Sequence, residues 1–285
     1  MSIEKIKELR ERTGAGFSDV KKALEASNDD IDQAIEWLKV NGIAKAAKKS
    51  DRIAAEGSVF VSSNDNKAVL VEINSETDFV SKNEMFVSGS QKIADALLFS
   101  SATTNKEALV LEVEGETITS LLTNMTATIG EKISFRRFTI VEGTNGAYKH
   151  SNGRIGVIVS GNDIESETLR DVAMHVAAMN PEFLSVDEIS EEIIAKETEI
   201  AKEQLSEAVA GKPEQVAENM IKGKVNKTLN EGVLLEQAFV KDPSKKVKDL
   251  AGNGSFVSFI RYEVGEGIEK IENNFAEEVA AQIRG

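Results

Sequence analysis

One stretch of the sequence joins a buried strand to a helix, and it constrains the fold more than any other. Ala68–Ile73 is short, apolar and rich in β-branched side chains, which predicts a buried strand. Ser81 and Glu84 have the spacing of a capping box and predict the start of a helix. One face of that helix carries three large apolar side chains, Phe86, Ile93 and Leu97. Residues 77–79, Thr-Asp-Phe, therefore lie at a strand-to-helix turn.

A bulky ring beside a carboxylate at such a turn has two interpretations. In the first, Phe79 folds back into the core and Asp78 helps to cap the helix. In the second, Phe79 protrudes as a wedge with an anion next to it and contacts a partner protein. On these residues alone the first interpretation is favoured.

Composition restricts the classes of function. A chain of 285 residues can bury a sizeable core and divide into about two domains. Its net charge of −14 opposes binding to a phosphate backbone, so DNA is not an expected partner. It has no cysteine, which excludes disulfides and thiolate chemistry. The sequence shows neither a signal core nor a membrane-spanning stretch, so we expect a cytoplasmic protein with no membrane partner.

Residues 1–54 predict a module of three short helices. The first has its apolar side chains on one face, Ile3, Ile6 and Leu9. Gly14-Ala15-Gly16 ends it, the second runs over residues 18–26, and Asn28-Asp29-Asp30 caps the third, in which Trp37 is expected in the core. The glycine turn is not a phosphate loop, because no Lys-Ser or Lys-Thr follows at the required distance. No direct nucleotide site is therefore expected.

Residues 55–142 predict the first half of an α+β core. Gly57–Ser62 and Ala68–Ile73 form a hairpin with a five-residue polar loop. Residues 101–130 are more weakly helical, with four apolar side chains expected in the core, Leu109, Leu121, Leu122 and Ile129. Lys132–Val141 alternates apolar and polar side chains, which predicts a strand with one solvent-exposed face.

The order of strand then helix recurs in residues 143–285. Arg154–Val159 predicts a strand and Glu165–Met179 a helix, which indicates an internally duplicated core of two subdomains. His150 and His175 are the chain's histidines, and neither has the neighbours of a metal site or a catalytic triad. We expect a satisfied, half-buried imidazole at His175, and no metal, cofactor or enzymatic activity.

A helical hairpin is predicted as an insertion over residues 186–230. Asp187–Ala210 and Pro213–Leu229 are amphipathic and are joined by a tight turn. Their inward side chains are expected to be Ile189, Ile193, Ile200, Leu205, Val216, Met220, Ile221, Val225 and Leu229. Ser255–Val264 alternates as a strand, and residues 271–285 predict a last helical segment. The predicted fold class is α+β.

Thr77-Asp78-Phe79-Val80, followed by Lys82-Asn83, resembles the signature of the elongation factor Ts family, the guanine nucleotide exchange factors for elongation factor Tu. Other stretches are similar to the same family: Leu9–Gly16, Asp19–Leu24, Ala34–Leu38, Ala173–Leu184, Gly211–Pro213 and Val264–Lys270. The resemblance runs from about Leu9 to the end of the chain and is weakest over residues 99–130.

The resemblance implies a fold, a partner and a set of contact residues. It implies an N-terminal module with a ubiquitin-associated fold that docks on the nucleotide-binding domain of elongation factor Tu, a core of two similar subdomains, and a protruding coiled coil. It also implies guanine nucleotide exchange by binding alone, with Asp78-Phe79 acting near the Mg²⁺ site of the partner. The implied partner-binding residues are Thr77, Asp78, Phe79, Val80, Arg10, Gly14, Gly16, Phe17, Lys21, Lys49 and His150. Phe17 stands where the family usually has methionine, and Ser18 where it has a second apolar residue.

Two other functions explain less of the sequence. An adaptor that binds through the N-terminal module alone leaves the core and the helical hairpin unexplained. An enzyme with paired carboxylates is not indicated, because 48 Asp and Glu residues make chance pairs plentiful. A basic cluster closes the module, Lys45, Lys48, Lys49 and Arg52, and is either a solvated hinge or a contact with an acidic surface of the partner.

Overall fold

Three helices open the part of the chain that this computed structural model describes, residues 2–269. They are α1 (Ile3–Thr13), α2 (Phe17–Ala26) and α3 (Ile31–Ala47). Asp30 caps α3 with its side chain, and Gly14, with a φ of 68°, ends α1. The core of this module consists of Leu9, Val20, Ala23, Leu24 and Ala34, and the half-buried Trp37 packs against it. Ile3, the first residue of α1, is exposed, because it precedes the turns of the helix that reach this core.

The rest of the described chain contains both helices and antiparallel strands, so the fold class is α+β, as predicted. The strands are β1 (Glu56–Asn64), β2 (Lys67–Ser75), β3 (Glu112–Val113), β4 (Glu116–Thr117), β5 (Ser134–Glu142), β6 (Asn145–Lys149), β7 (Ile155–Asn162), β8 (Ala238–Phe239), β9 (Asp242–Lys246) and β10 (Ser255–Glu263). The further helices are α4 (Glu84–Leu98), α5 (Asn105–Leu109), α6 (Ile118–Ile129), α7 (Ser166–Met179), α8 (Glu191–Val209) and α9 (Glu214–Glu231). The predicted helical segment 271–285 lies outside the described residues.

The two larger sheets are antiparallel and share one topology. In the first, β2 lies between β1 and β5, and in the second, β7 lies between β6 and β10. Each sheet starts with a hairpin and is completed by a later strand that pairs with the hairpin's second strand. A long helix follows each hairpin, α4 in the first case and α7 in the second. An internal duplication would produce this recurrence; the duplication and the boundaries at 54/55 and 142/143 stay predictions.

The two sheets pack face to face, and α4 and α7 cover their outer faces. Alternate side chains of β2 therefore enter two different cores, which is why its sequence is a continuous apolar run. Val69, Val71 and Ile73 pack on the α4 side with Phe86, Ile93 and Leu97. Ala68 and Leu70 pack on the other side, with Ile158 and Tyr262 of the second sheet. Gly156 permits this close approach, because a Cβ there would lie 2.5 Å from Leu70 Cδ1.

Glu72 lies on the face of β2 that meets the second sheet, and its side chain is fully buried. A buried carboxylate is costly unless it is paired and hydrogen-bonded. Its oxygens accept hydrogen bonds from Arg136 Nη1 at 2.7 Å, Arg137 Nε at 2.7 Å, the Gly265 N–H at 2.8 Å and Asn74 Nδ2 at 3.1 Å. Burial alone would raise the pKa of Glu72, but the hydrogen bonds from Gly265, the two arginines and Asn74 outweigh it and lower the pKa.

A β-bulge in β5 allows two consecutive arginines to reach this carboxylate. Neighbouring residues of a strand normally point to opposite faces. Here Glu72 pairs with Arg137 while Ile73 pairs with Phe135, so Arg136 is the extra residue of the bulge. The guanidinium of Arg137 also lies 4.1 Å from the centre of the Tyr262 ring. The predicted solvent-exposed face of β5 is wrong, because its side chains are half-buried on both faces apart from the terminal Glu142.

Loops and short strands account for most of the other differences from the predictions. Asn64 pairs with Lys67, so the first hairpin has a two-residue turn and not a five-residue loop. Residues 101–130 form α5, the β3–β4 hairpin and α6, because Gly115, with a φ of 88°, turns the chain between the short strands. Of the four predicted core residues there, Leu122 is buried, and Leu109, Leu121 and Ile129 are half-buried against the same core. The strand β6 was not predicted, because Asn, Gly and Ala dominate its first three positions.

Helices α8 and α9 form the predicted antiparallel hairpin. Its first helix starts at Glu191 and not at Asp187, because Ser190 accepts a hydrogen bond from the Ile193 N–H and caps it. Ile200 and Val216 are exposed, contrary to the prediction, while Ala201 and Val225 are buried. Two helices that pack only on each other bury a narrow stripe, so apolar residues beside that stripe stay in solvent.

We expect Glu72→Gln to destabilise the fold by about 3 kcal/mol at neutral pH, because the buried side chain no longer offers a counter-charge to the half-buried guanidinium of Arg136 and leaves Arg137 with the exposed Glu266 alone. The folded-state pKa of Glu72 is lowered from its ordinary value of 4.5, so its stabilisation is present above that pH and is lost as the pH falls through the lowered value. Denaturant unfolding from pH 7 downwards should therefore show the difference between wild type and variant shrinking in acid.

Glu142→Gln is the control, because Glu142 is on the same sheet but its ion pair with Lys67, at 3.4 Å, is largely exposed. Its effect should stay below about 1 kcal/mol. A Glu72→Gln effect as small as that of the control would contradict the role given to the buried carboxylate.

Candidate partner-binding surface

The segment between β2 and α4 forms a tight turn that holds Phe79 in solvent. Val80–Lys82 is one turn of 3₁₀ helix, and both the N–H and the hydroxyl of Ser81 donate to the carbonyl of Asp78, at 3.2 and 2.6 Å. The side chain of Phe79 is 83% exposed and that of Asp78 is also exposed. The interpretation in which the ring folds back into the core is therefore wrong, and the ring protrudes.

The cap of α4 also differs from the prediction. Asn83, and not Ser81, is the capping residue, since its side-chain oxygen accepts a hydrogen bond from the Phe86 N–H at 3.2 Å. Ser81 is used two residues earlier to close the 3₁₀ turn. Local spacing identified a capped helix start, but it could not tell which of two suitable residues makes the bond.

Val80 anchors this turn to the core. Its side chain is only 5% exposed and belongs to the same cluster as Phe60 and Phe86. Successive residues of the turn thus point in opposite directions, with Val80 inward and Phe79 outward. Among the motif residues, Val80 is therefore the buried support, and Phe79 presents its ring to solvent.

Glu131 lies in the loop between α6 and β5 and braces the start of the turn. Its carboxylate accepts hydrogen bonds from the N–H of Thr77 at 2.9 Å and from the Thr77 hydroxyl at 2.7 Å. The Thr77 carbonyl in turn accepts a hydrogen bond from the Ser75 hydroxyl at 2.8 Å. The sequence did not predict the role of Glu131, because it is 54 residues from Thr77 and no local pattern marks it.

The candidate residues of the N-terminal module lie mostly on its surface. Phe17 is 57% exposed at the start of α2, and Lys21 lies one helical turn further on the same face. Arg10 is exposed on α1. Gly16 is the open N-cap of α2, where a Cβ would have no atom within 4 Å, whereas a Cβ at Gly14 would lie 2.6 Å from Met85 Cε.

The absence of a side chain at Gly14 therefore lets the module pack closely against α4. Because α4 directly follows the turn that carries Phe79, the module lies beside that part of the core.

Three members of the basic cluster at the end of the module bind groups of the protein itself. Lys49 Nζ donates to the carbonyl of Gly130, Lys45 pairs with Asp19 at 2.6 Å, and Arg52 pairs with Glu76 at 3.1 Å. The contacts of Lys49 and Arg52 reach the core and favour a structural joint over a purely solvated hinge. The predicted role of Lys49 as a partner contact requires that it leave, or share, its carbonyl acceptor.

His150 lies apart from this turn, in a shallow pocket of the second sheet. The pocket is lined by Tyr148, His150, Ile155, Met174, Ala177, Ala178, Val240 and Lys241. The hydroxyl of Tyr148 is 3.0 Å from His150 Nδ1. The structure thus places the candidate contacts in three regions: the Phe79 turn, the module and this pocket.

The second histidine, His175, has a structural role. Its Nδ1 accepts a hydrogen bond from the Val240 N–H at 3.1 Å, so Nε2 carries the proton and donates to Gln237 Oε1 at 2.8 Å. The imidazole is satisfied, as predicted, but fully buried instead of half-buried, because α7 packs it against Phe239. Burial lowers the pKa of His175, against the opposing effect of the bond to Gln237.

Neither a cluster of metal ligands nor a membrane-spanning helix is present among residues 2–269. Within that range, no three His, Asp or Glu side chains are grouped so that they could hold a metal ion. No helix within it is both long and apolar enough to cross a membrane.

The described chain is an α+β protein that presents an exposed aromatic ring on a braced turn. Exposed aromatic rings are typical of surfaces that bind other proteins. A family model described as Elongation factor TS matches residues 76–266, well over half of the chain. The chain therefore belongs to the elongation factor Ts family, as its motifs predicted. The family implies nucleotide exchange in translation elongation, with elongation factor Tu as the partner. The match includes the Phe79 turn and ends at Glu266, and it does not include the N-terminal module.

We expect Phe79→Ala to leave the free energy of unfolding almost unchanged and Val80→Ala to lower it. Phe79→Ala should change the free energy of unfolding by no more than about 0.5 kcal/mol, because the ring is in solvent. Val80→Ala should cost about 2 kcal/mol, because it removes two buried methyl groups. Thermal and denaturant unfolding of the two variants checks this, and a larger loss for Phe79→Ala would restore the buried-ring interpretation.

Proposed function

We propose that this protein binds elongation factor Tu–GDP and promotes the release of GDP, so that GTP can rebind, by inserting Asp78-Phe79 near the Mg²⁺ site of the partner. One observation carries the proposal: the Phe79 ring is 83% exposed on a braced turn inside the segment that the family model matches. Phenylalanine offers a large apolar face with few rotatable bonds, so its ordering at an interface costs little.

The proposed mechanism needs binding only and no covalent chemistry, so we do not propose an enzymatic activity. A G protein holds its nucleotide through phosphate contacts and Mg²⁺. An exchange factor that prefers the nucleotide-free G protein weakens the binding of nucleotide. By linkage, the nucleotide weakens the binding of the exchange factor by the same factor. An inserted ring displaces the elements that order the metal, and the exchange factor then stabilises the emptied state.

Asp78 adds an electrostatic contribution to the same event. Its carboxylate is exposed beside the ring and enters the site with it. A negative charge near the nucleotide repels the phosphates and competes for the groups around Mg²⁺. Its effect should be smaller than that of the ring, because solvent screens an exposed charge until the interface closes.

The N-terminal module supplies the docking contact in this proposal. Phe17 provides an exposed apolar side chain at the place where the family usually has methionine, with Arg10 and Lys21 as cations on the same module. Cations on this module fit an acidic surface on the partner, whereas the chain as a whole carries −14. The protein is proposed to work in the cytoplasm, where translation elongation takes place.

An adaptor that binds through the N-terminal module alone is the alternative. It would leave Phe79 without a role, since the ring lies on the core and not on the module. Variants of Phe79 therefore separate the two functions.

We expect Phe79→Ala to slow the catalysed release of fluorescent GDP from elongation factor Tu at least about tenfold, the equivalent of ~1.4 kcal/mol in the barrier. Asp78→Ala should act in the same direction with a smaller effect. Phe99→Ala is the matched control, because Phe99 is 84% exposed elsewhere on the core. Equal rates for Phe79→Ala and Phe99→Ala would reject insertion of the ring.

Deletion of the helical hairpin should leave exchange largely intact. The chain pairs with itself at the base of the hairpin, where the Glu182 N–H donates to the Gly232 carbonyl at 2.9 Å and the Leu234 N–H to the Phe183 carbonyl at 2.8 Å. Replacing residues 187–229 with a short glycine linker between Val186 and Asn230 therefore keeps the closure. A folded deletion variant that has lost most of its exchange activity would show that the hairpin belongs to the working surface.

A further inference from the structure

Two neighbouring pairs of residues join the Phe79 turn to the start of β5. Glu76 accepts a hydrogen bond from the Lys132 N–H at 2.6 Å, and Glu131 accepts one from the Thr77 N–H at 2.9 Å. Each segment thus contributes one carboxylate and one backbone N–H. We call these four residues, Glu76, Thr77, Glu131 and Lys132, the reciprocal clamp.

The clamp continues the β2–β5 ladder with side chains. The last backbone pair of that ladder is Asn74 with Ser134. In the same register, the next positions beyond the strand ends would bring residue 76 opposite 132 and residue 77 opposite 131. The chain has already left the strand there to form the turn, and the two carboxylates replace the missing backbone acceptors. The base of the turn is therefore held by hydrogen bonds beyond the last backbone pair of the ladder.

The clamp also contacts the linker between the N-terminal module and the core. Arg52 donates to both oxygens of Glu76, at 3.1 and 3.2 Å. Lys132 Nζ donates to the carbonyls of Ser50 and Arg52, at 2.6 and 2.8 Å. One set of hydrogen bonds thus joins the module's linker, the strand end and the turn that presents Phe79.

We propose that the reciprocal clamp positions Phe79 for insertion, with Glu131 as the main positioning residue, and that Arg52 extends the clamp to the N-terminal module. This inference rests on the proposed function. A ring that is already held in its bound direction pays less ordering entropy at the moment of insertion. The clamp acts on the step after docking, so its loss lowers the maximal exchange rate more than the apparent affinity.

The first test measures the turn itself, without the partner. The chain has no cysteine, so Lys82→Cys gives a single site for a nitroxide label on the 3₁₀ turn. Glu131→Ala and Thr77→Val, each in the Lys82→Cys background, should give a more mobile spectrum, and Glu131→Gln a smaller change because it keeps one acceptor oxygen. Arg52→Gln should also raise the mobility of the label. An unchanged spectrum for this variant would show that Arg52 does not extend the clamp to the N-terminal module.

Glu107→Ala is the matched control. Glu107 accepts hydrogen bonds from the N–H and the hydroxyl of Thr103, at 2.8 and 3.0 Å, and so makes the same kind of bond in a different loop. Its spectrum and its exchange rate should equal those of the parent protein.

The second test measures catalysed GDP release from elongation factor Tu over a range of exchange-factor concentrations. Glu131→Ala should lower kcat about three- to tenfold with a smaller change in KM. A merely structural role would instead lower the melting temperature and leave kcat per folded molecule unchanged, and that result overturns the proposal. So does a mobile turn with an unchanged kcat, or a spectrum that no clamp variant alters. If the unmodified protein accelerates no GDP release, the proposed function fails, while the spectra still decide whether the clamp fixes the turn.

Discussion

The buried carboxylate of Glu72 links the first sheet to the turn that follows the last strand of the second sheet. Glu72 faces the second sheet from the middle of an apolar strand, where an unpaired charge would cost several kcal/mol. Its partners come from β2, from β5 and from the turn after β10, so both sheets and the Gly265 turn must be in place at once. The bulge at Arg136 and the stacking of Arg137 on Tyr262 are consequences of that requirement.

The sequence predicted the elements whose signals are local. Periodicity located α4, α7 and the helical hairpin, a continuous apolar run located β2, and apolar alternation located β10. It failed where the deciding partner is distant in the chain: the hydrogen bond between Glu72 and Gly265 spans 193 residues, and no local pattern announces it. It also failed where two local choices are equally good, as with Ser81 and Asn83 for the cap of α4.

The candidate site shows the same division between local and distant information. The motif around Phe79 could be read from the sequence, but the direction of the ring could not, because a phenylalanine beside a valine fits either arrangement. Packing of Val80 into the first core and the bonds from Thr77 to Glu131 decide the matter. The same contacts brace the turn, so the exposed ring is presented in a defined direction although it lies outside the regular helices and strands.

The distance in sequence between Glu72 and Gly265 has a consequence for folding during synthesis on the ribosome. Translation at about 5–20 residues per second places roughly 10–40 seconds between the synthesis of these two residues. During that interval β2 has been made, but the Gly265 N–H that donates to the Glu72 carboxylate has not. The face of the first sheet that carries Glu72 must therefore stay hydrated until the last strand arrives, whereas the opposite face can already pack on α4. The two sheets can therefore close fully on each other only after the turn that follows β10 has been made.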